Sequence, residues 1–280
     1  MARKRTQKTR SAEVIMTDYH VHIGQFCNAY YSAENVFSAL KEAGVKDVWF
    51  SSTTSCIYCK ESYTARENED ILKSAPTALE LYQAVYSEVM DAKSYADSIG
   101  LITHALYWVV PELHFSDNSD ITIQNALAVN LYEGFKIHPR AQNWSLEDSR
   151  TSQLAEEVFS FAQKNEKLIL IHCDDDFPPC HFESFISKYP SVKVQLAHCR
   201  PKEDSLYMLK KYPNVVCDTA MTCGDVVEYL ISAGFRDRLR FGTDFPIMHW
   251  RKYKPGGEPS KEELTKEALE IISISSKQIL

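Results

Sequence analysis

The feature that most constrains this chain is an alternation. Eight short apolar runs are separated by longer amphipathic segments: Val14–Tyr19, Asp47–Ser51, Leu101–Val109, Gly134–His138, Leu168–Cys173, Val192–Cys199, Val215–Thr219 and Leu239–Asp244. Continuous apolar runs bounded by turn residues read as strands buried on both faces of a parallel sheet. Helices are expected over Ala33–Ala43, Pro76–Ser98, Ile121–Asn130, Leu146–Asn165, Cys180–Lys188, Lys202–Lys211, Gly224–Ala233 and Ser260–Ile274. Gly44 is placed to cap the first, and Ser145 with Asp148 resembles a capping box at the fourth. Eight β-then-α units in a row imply a parallel α/β sheet, and that number favours closure into a (β/α)8 TIM barrel, a fold of ~250 residues. With 280 residues and no linker or repeat, the expectation is one barrel domain over residues 13–280, behind a short disordered basic tail over residues 1–12.

Charge and composition narrow the partners. The net charge is −7, yet the first ten residues hold Arg3, Lys4, Arg5, Lys8 and Arg10 with no acid; the remainder carries −12. Such a body is expected to repel a nucleic-acid backbone unless a local basic groove exists. No apolar run follows the basic residues as in a leader, and no stretch has the ~18 apolar residues of a membrane span. Eight cysteines are too sparse for a disulfide scaffold and suit reduced thiols in a cytoplasm. A homo-oligomer is left open.

Chemistry gathers where the apolar runs end. The first runs into Asp18-Tyr19-His20-Val21-His22, and residues two apart on a strand face the same side, so His20 and His22 form half of a metal site. His172, His198 and Asp244 end the fifth, sixth and eighth runs. In a closed barrel those carboxyl ends converge on one axis, and burying so many polar groups together without an ion is costly.

These motifs, with Gly134-Phe135-Lys136-Ile137-His138-Pro139 and Phe241-Gly242-Thr243-Asp244-Phe245-Pro246, resemble the amidohydrolase superfamily over residues 14–275, and most closely its amidohydrolase-related (amidohydrolase 2) branch. The resemblance implies a divalent metal held by His20, His22, His172 and Asp244. Asp244 would also take a proton from attacking water, and His198 would polarise the substrate or bind a second ion. Neutral imidazoles and a carboxylate suit zinc, and also manganese, iron or nickel. Lys136 would bridge two ions if carboxylated; its Lys-Ile-His-Pro setting is more typical of the one-metal branch, where it holds a substrate anion or another carboxylate. Within the barrel, pairing of Lys136 with Asp18 or Asp244 is the structural alternative.

His138, Arg140 and Arg200 follow strands and suit an anionic substrate group, although a surface salt bridge explains either arginine equally well. Tyr30, Tyr31, Tyr58, Tyr107 and Trp108 are candidates for an aromatic pocket. Cys173 and Cys199 are expected to fill core, pointing away from the neighbouring histidines by strand parity. Cys56 and Cys59 form a lone CxxC, better read as loop packing than as a zinc knuckle. The closing helix is expected to be short and the seam partly open, with Cys56–Asp70 and Lys252–Glu258 the longest candidates for a lid. The leading expectation is a metal-dependent hydrolase of an amide, ester or lactone bond in a small anionic molecule. Nonoxidative decarboxylation is the first alternative. A TatD-type deoxyribonuclease is the second, disfavoured by Lys136 where that type carries a glutamate and by the acidic body.

Overall fold

The computed structural model describes residues 16–58, 76–116, 121–127, 130–142 and 144–279, with no side-chain description for 57, 58 and 275–279. The basic tail, Cys59, most of the Cys56–Asp70 loop and the side chain of Tyr58 therefore lie outside the described residues.

Nine strands form one sheet: β1 (Thr17–Phe26), β2 (Ala29–Tyr31), β3 (Asp47–Ser52), β4 (Ile102–Trp108), β5 (Gly134–Ile137), β6 (Leu168–Ile171), β7 (Val194–Leu196), β8 (Val215–Asp218) and β9 (Leu239–Arg240). Their order is β2-β1-β3-β4-β5-β6-β7-β8-β9. Only β2 is antiparallel, folded back on β1 from Gly24↔Tyr31 to Phe26↔Ala29. The other eight run parallel. The sheet curls until its end meets its beginning: Tyr19 N donates to Phe241 O at 2.9 Å, Asp244 N to His20 O at 2.8 Å and His22 N to Phe245 O at 2.8 Å. The alternation thus yields the expected (β/α)8 barrel, and the seam is hydrogen-bonded rather than partly open.

Outside it lie the helices α1 (Ala33–Glu42), α2 (Ala78–Ile99), α3 (Ile123–Leu127), α4 (Ser149–Lys164), α5 (Glu183–Lys188), α6 (Lys202–Lys211), α7 (Gly224–Ser232) and α8 (Lys261–Ile279). Val36, Phe37, Ala39 and Leu40 bury the inner stripe of α1. A full capping box, Thr77 with Glu80, starts α2, and Gly100 ends it at φ 69°, a left-handed position that glycine takes without steric cost. On α4 the N-cap is Asp148, which accepts from Thr151 N, and not Ser145, which lies one turn earlier and takes Asp148 N on its carbonyl. At 19 residues α8 is not short, and it packs on α1 across the seam. Lys252–Glu258 is not a free lid: Gly257 N donates to Asn28 O at 2.8 Å and Tyr30 N to Gly257 O at 2.9 Å, which pins it beside β2.

One irregularity re-aims the site. β1 pairs with β3 as Asp18↔Val48 and next as Val21↔Phe50, three steps against two. Such a bulge shifts face parity within a strand. Tyr19 therefore stacks on Trp49, which packs on Leu106, Leu168 and Leu170, while the adjacent His20 also turns inward, toward the barrel mouth. The larger apolar core lies between sheet and helices.

Candidate active site

At the carboxyl ends of the strands, three donor atoms converge. His22 Nε2 lies 3.0 Å and His20 Nε2 3.4 Å from Asp244 Oδ1, all three residues buried. Ligand atoms around one tetrahedral ion with ~2.0–2.1 Å bonds stand ~3.3 Å apart, close to the spacing of both imidazole nitrogens from Asp244 Oδ1, and all three atoms lie within 4.8 Å of one another. Asp244 reaches the trio from a left-handed position, φ 59°, fixed by its N–H on His20 O.

The protonation states suit an ion. Burial pushes His22 and His198 down to about 4 and His138 and His172 well below the ordinary imidazole value, so these rings are neutral at pH 7. Burial alone would raise Asp244, but His20, the hydrogen bond from His22 and the nearby His198 hold its carboxyl well below the usual range. Neutral imidazole and ionised carboxylate are the forms that bind metal.

A second layer holds these donors. His20 Nδ1 donates to Asp218 Oδ2 at 3.2 Å, which leaves the Nε2 lone pair facing the trio. His22 Nδ1 lies 3.0 Å from Ser51 Oγ. Asp218 also accepts from Gln195 Nε2 at 2.8 Å, from His198 N at 3.1 Å and from Ala220 N at 3.1 Å. His20, His198 and Asp218 lie close enough to form another potential metal group. Asp218 is already saturated by four donors, however, so its role there is support.

His198 does not end a strand as expected. β7 stops at Leu196, and His198 and Cys199 lie in a 3-10 turn at φ 69° and 46°, where strand parity cannot orient Cys199. The turn is held by Asp218, whose carboxylate takes His198 N while its carbonyl takes the Cys199 thiol at 3.0 Å. His198 Nδ1 donates to Ala220 O at 2.9 Å, so Nε2 carries a lone pair, 3.0 Å from His172 Nδ1. His172 stands outside the trio. Its Nε2 faces Asp174 Oδ2 at 3.1 Å and its ring stacks on His138 at 3.7 Å, with Trp108 beyond at 5.6 Å.

Lys136 is fully buried and donates to His20 Nε2 at 2.7 Å; burial lowers it to about 8. It is not paired with Asp18, which takes Thr243 Oγ1 at 2.6 Å and the N–H groups of Thr243 and His20 at 3.1 Å. Arg140 is tied to Asp174 at 3.4 Å and to Asp176, so its charge is largely spent on the protein. Arg200 donates Nε to Cys173 O at 3.4 Å. Among the described residues, neither Arg200 nor Arg251 has a carboxylate within ion-pair distance.

His22, Lys136, His138, Arg140, His172, Arg200 and Asp244 line one cavity, together with Phe26, Trp108, Met221, Ile247, Trp250 and Arg251; His20, His198 and Asp218 stand behind that lining. Of the anticipated aromatic residues Trp108 lines it. Tyr31 packs on His249, Tyr107 on His114, and Tyr30 bonds Glu88. Sequence reasoning missed Asp218, Ser51, Asp174, Arg251 and Trp250. Asp218 had a readable signal, since it ends the apolar run Val215-Val216-Cys217 as Asp244 ends another; the rest had none.

Comparison with known proteins agrees. The amidohydrolase family model matches residues 106–266, more than half of the chain. Among solved structures, one described as an amidohydrolase II is similar at 13% identity, covering 94% of this chain and 99% of that one, with a TM-score of 0.54. A hydrolase of the TatD family from Entamoeba histolytica is 10% identical over 93% of each chain, at 0.51. A dihydroxybenzoic acid decarboxylase from Polaromonas sp. JS666, with bound manganese and the inhibitor 2-nitroresorcinol, is 10% identical over 94% of this chain and 97% of that one, at 0.50. At such identities the likeness is one of fold. No curated protein sequence matches the chain. The family match, on a barrel whose strand ends gather two imidazoles and a carboxylate, places this chain in the amidohydrolase family of metal-dependent enzymes.

Proposed function

We propose that this protein hydrolyses an amide, ester or lactone bond in a small anionic molecule, using one zinc ion held by His20, His22 and Asp244. Manganese, iron or nickel would suit the same donors. The observation that carries the reading is the approach of His20 Nε2 and His22 Nε2 to Asp244 Oδ1, at 3.4 and 3.0 Å, beside a cavity that His22 and Asp244 line. His172 is the proposed fourth ligand and must turn away from Asp174 to serve. A divalent cation there supplies Lewis acidity, which polarises a carbonyl and eases the ionisation of water.

The chain's own groups do the rest. Asp244, ionised and facing the trio through Oδ1, accepts the proton of the attacking water and returns it to the leaving group. His198, its Nδ1 committed to Ala220 O, carries on Nε2 a lone pair that accepts a proton or a hydrogen bond, 3.0 Å from His172 Nδ1. Lys136 and Arg200, both lining the cavity, offer positive charge to the substrate anion, and His138 lines it with them. Trp108, Phe26 and Trp250 suit a flat apolar body.

That aromatic wall also favours a second reading, nonoxidative decarboxylation of an aromatic acid on the same residues. Incubation of the metal-loaded protein with panels of lactones, amides, esters and aromatic acids separates the two. Hydrolysis opens a lactone to a hydroxy acid heavier by one water, or splits an amide or ester into an acid and an amine or alcohol; decarboxylation gives carbon dioxide, and Asp244→Asn abolishes either. Purified protein that binds no divalent ion, with turnover unchanged in Asp244→Asn, refutes both.

A further inference from the structure

Below the site, a chain of polar contacts runs from the half-buried Arg240 up to the buried His20. Arg240, on β9, donates from Nη1 to Gln195 Oε1 at 3.1 Å, and its guanidinium lies 4.6 Å over the ring of Tyr19. Gln195, on β7 and fully buried, donates from Nε2 to Asp218 Oδ2 at 2.8 Å and to Tyr19 O at 3.1 Å. Asp218 then accepts His20 Nδ1 at 3.2 Å. Neither Arg240 nor Gln195 lines the cavity.

Donor and acceptor rules leave this chain only one polarity. Arginine has no acceptor, so it admits only the carbonyl end of Gln195. A flipped amide would set NH2 against the guanidinium and oxygen against the carboxylate, losing both bonds. With its NH2 facing Asp218, Gln195 requires an acceptor there, as do the N–H groups of His198 and Ala220. Asp218 is thereby held as an anion, and the proton of His20 is held on Nδ1. What emerges at the top is a His20 Nε2 lone pair in fixed orientation, 3.4 Å from Asp244 Oδ1.

We propose that Arg240 and Gln195 are positioning residues for the metal site, acting through Asp218 to fix the tautomer and ring orientation of His20. The inference rests on the reading of His20 as a ligand. Outer partners of this kind change metal affinity by about 10–100-fold. Gln195→Met keeps the length and shape but removes both donors and the acceptor. Arg240→Met removes the charge that orients the amide, and Arg240→Lys keeps a donor.

The test uses two readouts. Affinity for Zn2+ and Co2+ is measured on the full chain by competition with a chromophoric chelator. The tautomer of His20 is read in the metal-free protein by long-range proton–nitrogen NMR of the imidazole. Gln195→Met and Arg240→Met are expected to bind both ions about 10–100-fold more weakly and to show a mixed His20 tautomer, with Arg240→Lys restoring most of the affinity. Affinities within about twofold of the unsubstituted protein in both methionine variants would overturn the proposal, as would an Nε2–H tautomer of His20 in the unsubstituted protein. The NMR arm needs no variant, so an Nε2–H tautomer overturns the proposal even if a variant fails to fold. A chain that binds no ion sinks the hydrolase reading and this one with it, whereas a chain that binds its ion and keeps full affinity in both methionine variants sinks this one alone.

Discussion

Replacing Gly242 with alanine drives a wedge into the support of His20 without removing any polar group. A Cβ at Gly242 would lie 3.1 Å from His20 Cβ, 3.3 Å from Asp218 Cβ and 3.4 Å from Asp218 Cγ. Carbon atoms in good contact stand ~3.5–4.0 Å apart, so His20 must retreat by roughly 0.4 Å and Asp218 by roughly 0.2 Å. They sit on β1 and β8 and are joined to each other by the 3.2 Å bond between His20 Nδ1 and Asp218 Oδ2. Neither can move alone without stretching that bond. The backbone at 242 is outside the left-handed region, so space alone decides the outcome. Overpacking of this size costs about 1–3 kcal/mol, and each kcal/mol lowers the melting temperature of a chain this large by roughly 2–4 °C. Gly256→Ala is the control, since nothing lies within 4 Å of its Cβ position. Calorimetry of the metal-free protein and chelator competition are the assays. Gly242→Ala should melt several degrees lower and hold its ion more weakly, while Gly256→Ala should do neither. A Gly242→Ala protein with unchanged melting and affinity would refute the claim that His20 and Asp218 are held rigidly against each other.

Other expectations follow from the same contacts. His20→Ala should lose stoichiometric metal with the fold intact, and His172→Ala should lose less, because only His20 belongs to the converged trio; equal losses by metal analysis would promote His172 to full ligand. Arg200→Met should raise KM by about 10–100-fold, the scale of a lost charge-assisted bond, whereas Arg140→Met should change it little because Asp174 and Asp176 already hold that guanidinium. Steady-state kinetics on whichever substrate the panel identifies checks the order. Burial lowers His114 to about 4, so its contribution is fully present above the unfolded value of ~6.5 and is lost as pH falls toward 4, up to about 3 kcal/mol. Urea unfolding of His114→Asn should then depend less steeply on pH across that window; an unchanged slope would mean the ring is solvated. Thr77→Ala removes the capping box of α2 and should cost about 1 kcal/mol by the same measurement.

How far the sequence could be read follows from the range of each signal. Strand and helix identity came from local periodicity, and most of the barrel rests on that. Boundaries depend on partners the sequence does not display: β7 ends at Leu196 because Asp218, a neighbour in space, captures the backbone of His198 and turns the chain. The bulge in β1 is of the same kind. Alternation along Asp18, His20 and His22 gave the right face for both histidines although Asp18 precedes the shift in pairing, and only the register with β3 reveals that Tyr19 faces inward too. Asp218 is the instructive omission. The rule that selected His172 and Asp244, a polar residue closing an apolar run, selects Asp218 equally well; the family resemblance weighted the strand ends that it named and left this one aside. Gln195 and Arg240 obey no such rule. A glutamine within a strand and an arginine at the base of another look like ordinary polar interruptions, and their meaning appears only when three strands bring an acceptor, an amide and a guanidinium into one line beneath a histidine. Residues that touch the reaction leave types and spacings behind in the sequence, whereas residues that aim them leave only a contact, and contacts need the fold.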